Sequence, residues 1–506
     1  MSCLGVVLLS LQLLIVFQLL KHTTVVDMNQ VPVEKALFSS ERRMRKRPLD
    51  KASDLSAAIP NTTRRELDPR IPDGSFNDIP IYYNEGSKDS TVSCVGENYQ
   101  NNAWMYRSCQ FRHFCFDVDA KEYVIVQSPE ERQWLEFVKG DPLIGTSSTV
   151  NVTVSLGGLN KKWGRKNYKR LEWFPRVELS ADNIDGYYEL PSYLTWVPFH
   201  SLAGFNAGHL VWDDFLPIYT LLSIFGLLED GMQPLLTRYV PNQDGPLWAT
   251  CNYSDDNKVK CEKLFRKFLP SMGIEPSTFS TTQNFRFETK KARKSKYVCA
   301  RQGAAGLAML TDHASKAHGW EPQDYMCTHN MGRGAALYAF RNFLMQNLGI
   351  TSEPLRPQAP FDITFSMLSS HSSLRSQDYV KQMKAVNSTF SSDEVRVHGH
   401  VMEDLSLEEQ IKLASKSAIF VTSSGGGAVT ATFLPRGATL IIYYVGDGSI
   451  ENNKKTGKPA RLDWDLFNHM SYIRVHWLPT KAMNSPKGVA TFLQLIRNEL
   501  HVISHL

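Results

Sequence analysis

The 506-residue chain carries no C-x-x-C pair, and none of its eight cysteines stands with histidine at a zinc-site spacing. Structural zinc and thioredoxin-like redox chemistry are therefore not indicated. A G-x-G-x-x-G fingerprint, a Walker loop and a G-x-S-x-G elbow are all missing, which disfavours the common dinucleotide, P-loop and serine-hydrolase readings. There is no internal repeat. Net charge is only +5, and no aromatic residues interleave with the basic runs Arg42–Arg47 and Lys290–Lys296. Those runs read as a solvated stem and a solvated loop, so no nucleic acid is expected as a partner. Met1-Ser2 supplies no basic start, and Phe17-Gln18-Leu19-Leu20 supplies no small-residue cleavage site, so a cleaved signal peptide is disfavoured.

What is present begins with an apolar run, Cys3 to Leu20, broken only by Ser10, Gln12 and Gln18. It matches the roughly 17–25 residues a bilayer-spanning helix needs, and 1–20 reads as a transmembrane signal anchor. Lys21 and the Arg42–Arg47 cluster follow the span, which by the positive-inside rule would hold that side in the cytoplasm. Cysteines and sequons point the other way. Cys251 and Cys261 flank a polar loop suited to a disulfide-closed hairpin, Cys299 and Cys327 make a plausible second bridge, and two of Cys94, Cys109 and Cys115 a third. Sequons stand at Asn61, Asn151, Asn252 and Asn387. Asn252 falls inside the Cys251–Cys261 loop, where both signals want an exposed lumenal turn. The joint expectation is a single-pass type II glycoprotein of the Golgi or endoplasmic reticulum membrane with its bulk in the lumen.

Residues 21–75 form a polar, proline-broken stem, with Pro32, Pro48, Pro60, Pro69 and Pro72 as breakers. Two folded parts are expected after it, 76–355 and 356–506. The first mixes short strands such as Tyr123–Val126 with helical patterns at Leu210–Leu228, Cys261–Leu269 and Gly334–Leu348. The second alternates cleanly: strands Asp362–Phe365, Val395–His398, Ala418–Thr422 and Thr439–Tyr443, with helices Ser376–Val386, Ser406–Ser417 and Ala428–Leu434 between them. Ser406-x-x-Glu409 is a capping box. Such alternation implies βαβ units and a parallel sheet, whose ligands bind beyond the carboxyl ends of the strands.

Two segments carry chemistry. In Phe205–Pro217, F-N-A-G-H-L-V-W-D-D-F-L-P, a helix would set His209 and Asp213 on one face, with Asp214 turned aside. An imidazole beside carboxylates holds or moves a proton near neutral pH; the alternative is a buried pair that only orients a helix. Ser423-Ser424-Gly425-Gly426-Gly427 lies between a strand and a helix, where backbone amides approach a phosphate closely. The alternative there is a tight turn. Trp464, Asn468 and His469 could line the same cleft, although Trp464 is better read as core.

Together these segments resemble glycosyltransferase family 61, which includes protein O-linked N-acetylglucosaminyltransferases and plant xylosyl- and arabinosyltransferases. Phe205–Pro217 is similar to its N-x-G-H-x-x-x-D-D-x-L-P block. Gly425–Gly437, G-G-G-A-V-T-A-T-F-L-P-R-G, is similar to its G-A-G-L-x-N-x-x-F-L-P-x-G block. The resemblance covers about residues 200–480. It implies an α/β, GT-B-like fold of two Rossmann-like domains facing across a cleft, with the donor mostly in the second. It further implies transfer with inversion from a nucleotide-sugar co-substrate, UDP-GlcNAc or a UDP-pentose, to a glycan or glycoprotein acceptor, and no obligatory metal or other cofactor. His209, Asp213 and Asp214 would form the catalytic cluster, with a carboxylate favoured as base. Arg375, His371 and the Ser423–Gly427 amides would hold the diphosphate. The chain departs from the family where Ser424 replaces a common histidine, Thr430 an asparagine and Ile442 an acidic residue, and only Arg375 remains of an arginine pair. An inactive relative kept as a lumenal binding or scaffold protein is the competing class, and a hydrolase using the His–Asp pair ranks last.

Overall fold

The computed structural model describes residues 90–95, 107–126, 154–160, 168–178, 186–201, 203–228, 232–240, 251, 254–285, 295–306, 330–351, 357–369, 376–445 and 461–505. These belong to one compact unit, Pro69–Leu506. The expected anchor and stem, the sequons Asn61, Asn151 and Asn252, Cys327, and the donor candidates His371 and Arg375 lie outside the described residues. None of the described helices is long and apolar enough to cross a membrane. Asn387 is exposed near the end of helix Val380–Thr389.

The protein is mixed α/β. Strands β1 (Thr91–Val95), β2 (Ser108–Asp117), β3 (Glu122–Val126), β6 (Arg176–Glu178), β7 (Tyr188–Glu189), β8 (Leu194–Phe199), β9 (Gln233–Arg238), β10 (Ser280–Thr281) and β11 (Tyr297–Ala305) build one nine-stranded sheet. Its path is β10-β9-β8-β11-β2-β3-β6, with β1 against β2 and β7 against β11. A small ribbon pairs β4 (Val154–Asn160) with β5 (Tyr168–Trp173). The large sheet is only partly of the Rossmann kind. β8, β9, β10 and β11 run parallel, whereas β2 pairs antiparallel with β1, β3 and β11.

The second sheet is wholly parallel, in the order β13 (Val395–Val401), β12 (Phe361–Met367), β14 (Ser417–Ser423), β15 (Thr439–Tyr444), β16 (Arg474–Pro479). Ala418-Ile-Phe-Val421 and Leu440-Ile-Ile-Tyr443 are continuous apolar runs because both faces are covered. One face packs Ile363, Phe365, Val421 and Tyr443 against helices Val380–Thr389 and Pro486–His505. The other packs Phe420, Leu440 and Ile442 into a core shared with β8, β9 and helix Gly334–Asn347. Ser406 caps helix Leu407–Lys416 with the expected box. The expected helix over 428–434 is instead a 3-10 helix, Gly426–Phe433, and Tyr379, in the left-handed region, delays the Val380–Thr389 helix to a later start than expected.

Among the described residues three disulfides form: Cys94–Cys109, Cys115–Cys299 and Cys251–Cys261. The expected Cys299–Cys327 bridge is corrected. Cys299 stands directly opposite Cys115 in the antiparallel β2–β11 pair, a partnership 184 residues apart that local spacing cannot reveal. Cys251–Cys261 forms as expected, but it closes onto a helix rather than a hairpin, since Ser254 caps Asp255–Phe268 and Cys261 lies in its body. His113 lies close to Cys115 and Cys299, yet those sulfurs are joined to each other, so the trio is not a ligand set.

At the base of the parallel sheet Glu499, on the last helix, accepts from Arg474 Nε at 2.6 Å, His476 Nε2 at 2.9 Å and Thr439 Oγ1 at 2.5 Å. These partners outweigh its burial and hold its carboxyl down at about 2. A folded value below the unfolded one gives stability that is present above the usual glutamate range and lost as pH falls towards 2. Glu499→Gln should cost about 2–4 kcal/mol at pH 7, and less at pH 3, in denaturant unfolding.

Candidate functional site

The Phe205–Pro217 segment enters the fold after β8. Asn206, in extended conformation, caps a turn at Ala207–His209 by accepting the Gly208 N–H at 3.0 Å. The chain then widens into a π-helix, Leu210–Phe215, before continuing as the α-helix Leu216–Ile224. Proline is the local reason. Pro217 has no N–H to return to the carbonyl four residues back, and the neighbouring Leu216 N–H reaches five back, to Val211. Trp212 is buried, donates Nε1–H to Thr432 at 3.2 Å and meets Phe467 edge-on at 5.1 Å. The segment is thereby fixed to both the 3-10 helix and helix Arg461–Phe467.

The helix sorts the three expected catalytic residues into two environments. His209 Nδ1 meets Asp213 Oδ2 at 2.7 Å, as the four-residue spacing predicts. With Asp213 ionised, its carboxylate only accepts, which puts the ring proton on Nδ1 and leaves Nε2 as the basic nitrogen. The His209 side chain is 28% exposed and that of Asp213 only 7%, so the imidazole is the member that meets solvent. Asp214 turns away into the interior and accepts from Ser201 Oγ at 2.6 Å. Burial pushes its carboxyl well above the usual range and Asp213 adds to this, against the Ser201 hydrogen bond and the charge of buried Arg238. Neighbouring His200 is buried, faces the Tyr239 carbonyl through Nδ1 and is pushed down to about 4 by burial, so it is neutral at pH 7.

The glycine loop meets this block directly. A side chain at Gly208 would lie 3.3 Å from the Gly426 Cα, and one at Gly426 would strike the Asn206 carboxamide. One at Gly427 would strike the Ser369 backbone and lie 2.7 Å from its Cβ. Two of these three glycines thus keep a close contact between segments about 220 residues apart in the chain. Within the loop, Ser424 N–H donates to the Tyr443 carbonyl at 2.8 Å, and Gly425 N–H to Asp463 Oδ2 at 2.6 Å. Ser423 Oγ bonds the buried Tyr379 hydroxyl at 2.7 Å. Gly426 and Gly427 supply the first amides of the 3-10 helix, which no earlier carbonyl of that helix can accept.

The parallel sheet locates the loop topologically. In chain order its strands run 2-1-3-4-5, so direction reverses between β12 and β14. The carboxyl ends of that strand pair are where open α/β sheets form a crevice. Here they are Met367 and Ser423, followed by Ser369 and the glycine loop. Leu368 and Tyr379, at φ 50° and 54°, bracket the β12 exit in left-handed conformation. Each costs on the order of 1 kcal/mol for a side-chain-bearing residue.

Sequence reasoning missed Asn206, Ser201, Tyr379 and Asp463. Asn206 had a visible helix-cap signature; the other three become partners only through tertiary contacts. Trp464 packs on Trp477 at 5.2 Å, and His469 Nδ1 faces the Asp465 carbonyl. Of the positions that differ from those blocks, Ser424, Thr430 and Ile442 are buried, and Thr430 donates to Gln410 at 3.2 Å. No protein-family model matches the chain, and no curated protein matches it.

Asp214 yields a prediction opposite in sign to that for Glu499. A folded value raised above the unfolded one stabilises fully below the usual aspartate range, and that stability is lost as pH rises through the folded value. Asp214→Asn mimics the neutral acid. Relative to the parent protein it should gain stability as pH rises from 4 to 8, by about 1 kcal/mol or more, in urea unfolding at the two pH values.

Proposed function

We propose that this protein is an inverting glycosyltransferase. It moves a sugar from a nucleoside-diphosphate donor, UDP-GlcNAc or a UDP-pentose, to a hydroxyl of a glycan or glycoprotein. Its setting is the lumen of the Golgi or endoplasmic reticulum, with residues 1–20 as the membrane anchor and a GT-B-like arrangement of the two sheets. The observation that carries this reading is the meeting of the two family-like blocks. Gly208 touches Gly426, which sets the His209–Asp213 pair beside the loop at the reversal point of the parallel sheet.

The reaction follows from the residues. His209 Nε2 takes the proton of the acceptor hydroxyl, while Asp213 orients the ring and balances the imidazolium that forms. The acceptor oxygen bonds to the anomeric carbon as the bond to the diphosphate breaks, and the nucleoside diphosphate leaves with that electron pair. The Gly426 and Gly427 amides at the 3-10 helix start face the departing charge. The base is thus assigned to the imidazole rather than to a carboxylate. Asp214, bonded to Ser201 and buried, supports the helix.

A second reading has one specific support. Ser424 and Gly425 amides are already committed, and Gly426 and Gly427 pack against protein. A binding protein that retained the fold without transfer would show the same features. The two readings separate on His209→Ala and Asp213→Asn. Turnover of the purified chain with labelled UDP-sugars should fall about 10²–10⁴-fold in each, with donor affinity held within about twofold. Transfer at the parent rate in both would place the base elsewhere. No transfer by the parent protein with any UDP-sugar, despite nucleotide binding, would favour the binding protein.

A further inference from the structure

Two serines at the crevice are unexplained by the fold. Ser366, on β12, is fully buried, and its hydroxyl makes no hydrogen bond among the described residues. The Ser369 hydroxyl, just beyond the strand, is likewise buried and without a partner among them. A buried hydroxyl left unpaired is costly, and such groups in a native fold call for an explanation. Other hydroxyls nearby are satisfied: Thr364 with Ser417 at 2.7 Å, and Ser423 with Tyr379.

Their placement is specific. Ile363 and Phe365 face the core under helices Val380–Thr389 and Pro486–His505. Alternation along the strand therefore turns Ser366 to the opposite face, the one on which Phe420, Leu440 and the 3-10 helix residues Ala428 and Val429 pack. Gly427 meets the Ser369 backbone and Cβ, so the start of that 3-10 helix leans over the carboxyl end of β12. Ser366 lies on the sheet face beneath it, and Ser369 lies at its lip. Two buried, unbonded hydroxyls and the Gly426 and Gly427 amides thus belong to the elements that meet at the sheet's reversal point, between β12 and β14.

We infer that Ser366 and Ser369 are hydroxyl ligands for the phosphates of the donor, completing the amide cradle that Ser424 and Gly425 cannot supply. The inference rests on the proposed nucleoside-diphosphate donor. It explains how a loop with two committed amides still holds a diphosphate, since hydroxyl donors to an anion form the stronger, charge-assisted kind of hydrogen bond.

The test is binding of UDP and of inorganic pyrophosphate by calorimetry, with melting temperature, for the full chain and for Ser366→Ala, Ser369→Ala and the double variant. Each substitution should weaken UDP about tenfold and the pair about 100-fold. Removing an unpaired buried hydroxyl should leave the ligand-free melting temperature unchanged or raise it by about 1–3 °C. That combination, weaker binding in an equally or more stable protein, marks a ligand group. Unchanged UDP affinity in the double variant would overturn the assignment while leaving the donor reading intact. So would a lowered melting temperature with unchanged affinity, which would place the hydroxyls in an internal hydrogen bond. Pyrophosphate binding that weakens in the variants, without any UDP binding, would support the phosphate site and defeat the donor reading. Absence of both ligands from the parent protein would overturn both.

Discussion

Gly208 and Gly426 approach until a side-chain carbon on the first would lie 3.3 Å from the backbone of the second. Much of the candidate site depends on that contact. It sets the amino end of the 207–224 helix against the start of the 3-10 helix, and so brings a proton-handling pair to the reversal point of a parallel sheet. Asn206 fills the space where a Gly426 side chain would stand, and the same carboxamide oxygen caps the helix that carries His209. Trp212 and Phe467 extend the contact into the shared core, where burial of a large aromatic stabilises by several kcal/mol (roughly 3–5 on truncation).

Around that contact three aspartates are set apart by environment alone. Asp213 reaches His209 near solvent, Asp214 turns inward to Ser201, and Asp463 accepts a loop amide. Adjacent residues in a regular helix differ by about 100° in direction, and the π-turn adds the width that lets one carboxylate face the site while the next joins the interior. A carboxylate paired with an imidazole and a buried acid bonded to a serine then stand one peptide apart. Such a division of neighbouring carboxylates by their partners is a general way to assign distinct roles to like groups.

The second half of the chain was legible because its signals are local: continuous apolar strands, a capping box at Ser406 and glycine punctuation at Gly425–Gly427. Its β16 strand was overlooked because Arg474, His476 and Trp477 alternate polar and amphipathic groups at the sheet's edge, all only partly buried. The His209–Asp213 pair was legible from its four-residue spacing. The separate fate of Asp214 was not, because Ser201 and Arg238 come from other segments. Cys115 and Cys299 could not be paired from sequence, since the antiparallel register that opposes them spans most of the first sheet's connectivity. The glycines invited a phosphate reading, and the same positions also serve close packing: a side chain at Gly426 would strike Asn206 and one at Gly427 would strike Ser369.

The candidate site depends on contact between the two blocks, and a double-mutant cycle measures that contact most directly. Gly426 does not occupy the left-handed region, so Gly426→Ala is disfavoured first through Asn206, which supplies the three nearest atoms to the added carbon. Asn206→Gly removes that side chain at a cost of a few tenths of a kcal/mol for the lost cap. In denaturant unfolding, Gly426→Ala should destabilise the parent protein by about 1–3 kcal/mol and the Asn206→Gly protein by much less. A coupling of about 1 kcal/mol or more is expected. Additivity to within about 0.3–0.5 kcal/mol would mean that the blocks do not touch, and the bipartite site would fall with them.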